Sequence, residues 1–158
     1  MAAVGTREMV EQVIGALSEA FEGPRERWSY FTDTGRDGGL FGTLDRLDAE
    51  TASRVLGTTS IAAHVNHVIF GLHASARWIE GDRTTHRWDD SWGMSAVDSQ
   101  VWTRMQERLR AAYRDICRVV ELFAMGSEEA MAGAVGALAH VAYHLGAIRQ
   151  KAAFALVH

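Results

Sequence analysis

Thr59-Ser60-Ile61-Ala62-Ala63-His64-Val65-Asn66-His67-Val68-Ile69-Phe70-Gly71-Leu72-His73-Ala74-Ser75-Ala76-Arg77-Trp78-Ile79-Glu80-Gly81 combines a clear helical pattern with three of the chain's seven histidines. Ile61, Val65, Val68, Leu72 and Ile79 share one stripe at helical spacing. Thr59 or Ser60 offers a capping oxygen before it and Gly81 closes it. The pattern predicts a long helix over 61–80 that carries His64, His67 and His73.

Working outward, the same periodicity recurs three times. After a break at Gly126, Ser127-Glu128-Glu129 supplies a cap and first-turn negative charge for a last helix that runs almost to the C-terminus. Val101, Met105, Leu109, Ala112, Ile116, Val119 and Phe123 keep one apolar register behind a start at Ser95 or Asp98. Met9, Val10, Val13, Ile14, Leu17 and Phe21 predict a first helix, capped by Thr6 and stopped by Glu22-Gly23-Pro24. Asp48 caps a shorter helix ending at Gly57. The stretch 25–42, with an aromatic turn at Trp28-Ser29-Tyr30-Phe31, and the stretch 82–95 read as loops. No useful strand-like alternation occurs. Four long helices joined by long loops predict an all-α four-helix bundle, one domain over residues 1–158.

Composition narrows the function. Net charge is −4, and no run of Lys or Arg offers a phosphate-neutralising stripe, so no nucleic-acid partner is expected. Cys117 is the only cysteine, which rules out an intrachain disulfide and any Cys-rich metal knuckle, and fits a reducing cytoplasm. The N-terminus lacks the apolar core of a signal peptide. No apolar stretch is expected to reach the roughly 20 residues of a membrane span, so no membrane partner is expected.

The chemistry rests on imidazoles. His140 and His144 stand four apart, so on a helix their rings project from one face a turn apart, the spacing at which two can share a metal. Hydrogen-bonded or solvated histidine pairs use the same spacing, so a third ligand decides the reading. At about 100° per residue, both lie on the shoulder of a stripe formed by Ala137, Val141, Leu145 and Ile148. His67 lies likewise on the shoulder of its own helix. Gly136 and Gly71 stand a turn away from His140 and His67, leaving room expected for a ligand. Periodicity alone places His64 nearer the centre of the apolar stripe and favours it over His67. The other reading of His64 is a core histidine hydrogen-bonded to a neighbour.

Thr59-Ser60-Ile61-Ala62-Ala63-His64-Val65-Asn66-His67, followed by His140-Val141-Ala142-Tyr143-His144-Leu145-Gly146-Ala147-Ile148-Arg149-Gln150, resembles the two signature helices of DinB/YfiT-like metalloenzymes. Ser91-Trp92-Gly93 and Val97-Asp98 to Trp102 are similar to patterns in the same family, so the resemblance spans about Leu44 to Gln150. It implies an up-down-down-up four-helix bundle with a divalent metal on His67, His140 and His144. Matching the serine-led start of the helix selects His67 and leaves His64 in the pocket.

Three neutral imidazoles without a thiolate suit Zn or Ni, with Co, Fe or Mn as further candidates, and leave coordination positions open. No general acid or base stands out. Asn66 reads as a cap or groove polarity, Tyr143 as core packing and Arg149 as a surface pair. Trp88-Asp89-Asp90-Ser91-Trp92 either anchors its loop onto the bundle or covers the metal groove. Cys117 reads as a small buried hydrophobe. The resemblance implies an S-transferase or isomerase that uses a low-molecular-weight thiol, bacillithiol or mycothiol, against an electrophile. The alternative is a non-catalytic, stress-associated metal-binding protein acting as a helical dimer. A homodimer is expected in either case, from the abundance of apolar residues and from the resemblance, with no surface singled out.

Overall fold

The computed structural model describes residues 4–25, 27–30, 32–35 and 38–157. The chain is all-helical: α1 (Val4–Glu22), α2 (Leu40–Leu44), α3 (Ala49–Ser53), α4 (Ile61–Ile79), α5 (Ser99–Phe123) and α6 (Glu128–Val157), with a short 3-10 turn at Trp88–Trp92. No strand forms among the described residues. A lone bridge pairs Leu56 with Thr59.

The helix ends follow their capping chemistry. Ser60 caps α4 by accepting from the Ala63 amide at 3.1 Å and ties it to the loop before α5 by donating to the Ser95 carbonyl at 2.6 Å. Asp98 caps α5 and Asp48 caps α3, each accepting an amide three residues on. Ser127 does the same for α6, from Ala130. Gly81 ends α4 at φ +97°, in the left-handed region that favours glycine.

Several expectations need correction. α1 already begins at Val4, so Thr6 lies inside it; the Thr6 side chain is outside the described set, as is Phe31 of the aromatic turn. α3 stops at Ser53 rather than Gly57 because Arg54 turns to extended backbone (ψ 124°). The chain then reverses through Gly57 at φ +76°. The 25–42 stretch contains the start of α2, whose Leu40 and Leu44 are fully buried.

α4 packs against both α5 and α6, and α1 packs on the other side of α5 and α6. The shared core includes Leu17 and Phe21 of α1, Val65 and Leu72 of α4, Leu109 and Ile116 of α5, and Val141 and Ile148 of α6. Burying each of these contributes roughly 1.5–3 kcal/mol. Within that framework α4 and α6 lie side by side, which brings their histidines together.

α6 overturns one further expectation. An 18-residue window within it has mean hydropathy 1.4, long and apolar enough by length and composition to cross a membrane. One such helix is weak evidence for a span. Ala134, Val141 and Ile148 hold it in the core, yet only 33% of the window is buried.

Candidate metal centre

The four histidines of the two signature stretches converge between α4 and α6. His64, His67 and His144 are buried, and His140 is half-buried. His67, His140 and His144 form a group that could hold a metal ion, one ring nitrogen from each lying within 4.8 Å of the others. His73 is exposed, and His86 lies beside Phe70.

The ring contacts assign the nitrogens. His67 Nε2 and His140 Nε2 face each other at 3.0 Å. Two nitrogens each about 2.0–2.1 Å from one ion lie roughly 3.0–3.4 Å apart, so this pair already has the spacing of neighbouring ligands. His67 uses its other nitrogen, Nδ1, against Ser91 Oγ at 2.6 Å, while that hydroxyl donates to the Trp88 carbonyl. Ser91 therefore accepts from His67 Nδ1–H, which leaves the Nε2 lone pair for an ion. His144 Nδ1 meets His64 Nδ1 at 3.0 Å, and His64 Nε2 meets Thr59 Oγ1 at 2.9 Å. With Nδ1 so engaged, Nε2 is the nitrogen His144 has to offer.

This arrangement settles the position of His64: it reaches the cluster and touches His144 rather than joining the His67–His140 pair. It is the core histidine hydrogen-bonded to neighbours. Burial, with the charge of nearby Lys151 and His67, holds its pKa down to about 4. Burial likewise lowers His140 to about 4 and His144 to about 3, with neighbouring imidazoles adding to the effect, and lowers His67. Neutral imidazoles in the physiological range are the protonation state a metal requires. The donor set, its spacing and its charge state all fit a divalent ion.

The 3-10 turn covers this cluster. Trp92 stacks on the His67 ring, centroids 4.0 Å apart and planes 18° from parallel, and meets His64 edge-on. Trp88 stands 5.8 Å from His67 and 6.0 Å from His140, ring centre to ring centre. Asn66 Nδ2 donates to the Ser91 carbonyl at 2.7 Å and pins the turn to α4. The loop thus both anchors itself and covers the histidines.

Two sequence readings change at this point. Gly71 leaves no room for a ligand, because a Cβ there would come within 2.4 Å of His140 Cε1; the glycine admits the His140 ring instead. Gly136 does face open space. Tyr143 is 75% exposed and not in the core, although its ring meets His144 edge-on. Arg149 pairs with Asp33, as expected of a surface pair. Cys117 is half-buried in a partly apolar site, and burial raises its thiol to about 11, far from a reactive thiolate. Ser91 and Thr59 were not legible as ring partners, since nothing in sequence joins Ser91 to a histidine 24 residues earlier.

Comparison with family models, curated proteins and solved structures returned no match for this chain.

Proposed function

We propose that this chain is a metal-dependent protein of the DinB/YfiT-like type, an up-down-down-up four-helix bundle in which His67, His140 and His144 hold one divalent ion. The observation that carries the reading is the 3.0 Å approach of His67 Nε2 to His140 Nε2, with the opposite nitrogen of His67 already given to Ser91. Ligand histidines characteristically commit their second nitrogen in this way. An all-imidazole set favours Zn or Ni, with Co, Fe or Mn as alternatives.

The proposed activity is transfer or isomerisation with a low-molecular-weight thiol of the bacillithiol or mycothiol kind, in the cytoplasm. A divalent ion bound there supplies the Lewis acidity that brings a thiol to its nucleophilic form near neutral pH. Ser91 and His64 hold the ligand rings in the required tautomer, and Trp88 and Trp92 limit access of water. Half-exposed His140 lies on the accessible side of the group.

A second reading has its own observation. Trp92 covers His67, and both His67 and His144 are at most 7% exposed, which suits a non-catalytic metal site in a stress-associated protein. Metal-loaded protein assayed for thiol consumption with an electrophile separates the two. Metal-dependent turnover lost in His140→Ala supports the enzyme, and stoichiometric metal without turnover supports the second reading. Absence of metal binding overturns both.

A further inference from the structure

The groove between α4 and α6 continues past the histidines. The two helices run antiparallel: His67 faces His140, Gly71 lies against the His140 ring, and the side chains of Trp78 and Ile79 reach Gly133. Trp78 Nε1 donates to the Glu129 carbonyl at 3.3 Å, so the helices stay together to the end of α4. Between the level of His140 and that closing contact lies a cavity of about 430 Å³. It is lined by Ala74, Ser75 and Trp78 of α4, by Gly133 and Gly136 of α6, and by Trp88 of the 3-10 turn. Its size is that of a small-molecule site.

The cavity adjoins the metal centre. Gly136 precedes His140 by one turn on the same face of α6, and the ring centre of Trp88 is 6.0 Å from that of His140. Cavity and histidines therefore share a wall.

That wall is aromatic, and the floor has almost no side chains. At Gly133 a Cβ would come 2.8 Å from Trp78 Cδ1, so this glycine admits the indole. At Gly136 a Cβ would meet nothing within 4 Å, and the missing side chain leaves open space. Ala74 adds only a methyl group. Trp88 is steadied by Phe70, whose ring meets it edge-on at 5.2 Å. The charges at the rim are engaged. Arg83 lies over the Trp78 ring, 3.9 Å from its centre, and donates to the Trp78 carbonyl at 2.6 Å. Asp82 accepts from the Thr84 amide and hydroxyl at 2.8 and 2.6 Å. The main surfaces left for a ligand are the two indoles, Trp78 and Trp88, 43% and 44% exposed.

We propose that this cavity binds a flat, electron-poor aromatic ring, and that this ring belongs to the electrophile, a role that rests on the metal-dependent reading above. A flat ring fits over a floor without side chains, and an electron-poor one complements the negative faces of the indoles. Electron deficiency is also what opens such a ring to a thiolate. With a nitroaryl halide, the carbon–sulfur bond forms as the carbon–halogen bond breaks, the halide leaves with the bonding pair, and the thiol proton passes to solvent. Trp88 and Gly136 hold the ring beside His140, the half-buried member of the metal group.

Calorimetric titration of the full chain, zinc-loaded and metal-free, with meta-dinitrobenzene tests the binding, since this probe has no halide to lose. One molecule per chain is expected. The flexible chain n-heptanol should bind about 5-fold or more weakly, because it gains no stacking. Gly136→Leu should weaken the probe about 10-fold or more, with helical circular dichroism and stoichiometric zinc retained. Gly136 also borders the groove of Met9 and Ala139, so Ser75→Leu, which fills the cavity from α4, should repeat the result. Four outcomes would overturn the inference and leave the metal reading standing: zinc-loaded protein without saturable probe binding, heptanol bound as tightly as the probe, probe affinity unaltered in both variants, or loss of zinc together with the probe in both. A wild type that binds the probe but no metal would overturn the metal reading and the electrophile role with it, and would support the cavity as an aromatic-ligand site.

Discussion

His64 and His67 stand one helical turn apart and both reach the cluster, so their roles are separated only by where each ring nitrogen points. His67 presents Nε2 to His140, whereas His64 gives Nδ1 to His144 and Nε2 to Thr59. Removing a ligand should abolish metal binding, but removing a ring that orients a ligand should only weaken it. We expect His67→Ala and His144→Ala to lose stoichiometric metal. His64→Ala should weaken affinity about 10–100-fold, measured by competition with a chromophoric chelator. Loss of metal in His64→Ala with retention in His67→Ala would reverse the assignment. The same imidazoles make the metal-free fold acid-sensitive. The unfolded chain takes up their protons near pH 6.5, whereas folded His64 and His140 resist until about pH 4 and His144 until about pH 3. Stability is therefore full above about pH 6.5 and falls as pH drops towards 3, because the unfolded state binds more protons throughout that window. The unfolding free energy of metal-free protein, read from urea melts, should drop by several kcal/mol between pH 7 and pH 4. A triple His→Gln variant at 64, 140 and 144 should show much less of that slope.

At the level of elements, the site depends on how closely α4 approaches α6 and on the 3-10 turn above them. A Gly71 Cβ would collide with the His140 ring, so Gly71→Ala should displace a ligand. Alanine also gains about 1 kcal/mol of helix propensity over glycine, which offsets part of the crowding. We expect global stability to change by roughly 1 kcal/mol or less while metal affinity falls at least about 10-fold. Calorimetric titration and denaturant melts on the one variant test both halves, and unchanged affinity would remove Gly71 from the account. The turn is tied to α4 through Ser91, whose hydroxyl meets His67 Nδ1 and whose carbonyl accepts from Asn66. Ser91→Ala should free the His67 ring and weaken metal binding about 10-fold or more. It should also quicken hydrogen exchange of the Trp88–Trp92 amides with little change elsewhere. Exchange unaltered in that segment would show that the tryptophan packing alone holds it.

For the whole molecule, a metal that joins α4 to α6 binds only the folded chain and so stabilises it by mass action. At an ion concentration 100-fold above Kd this amounts to about 2.7 kcal/mol. For a chain of this size that is roughly 5–10 °C in Tm. Adding a chelator to the loaded protein should lower Tm by that amount, and His140→Ala should melt at one temperature with or without chelator. A chelator-insensitive wild type would argue that the histidines form only a hydrogen-bonded core.

Helical spacing, with a cap at Thr59 or Ser60, at Ser95 or Asp98, and at Ser127, was enough to locate α4, α5 and α6, because periodicity and capping are local properties of a chain; the fold selected Ser60 and Asp98. The His140–His144 pair was legible for the same reason. The end of α3 at Ser53 and the start of α2 at Leu40 were not, since both depend on what the segment packs against. The role of His64, the hydroxyl partners Ser91 and Thr59, and the use of Gly71 to admit an imidazole also required the fold. Apart from the local Thr59–His64 contact, each brings together residues from separate elements, and no periodicity along one helix specifies the rotation of its neighbour.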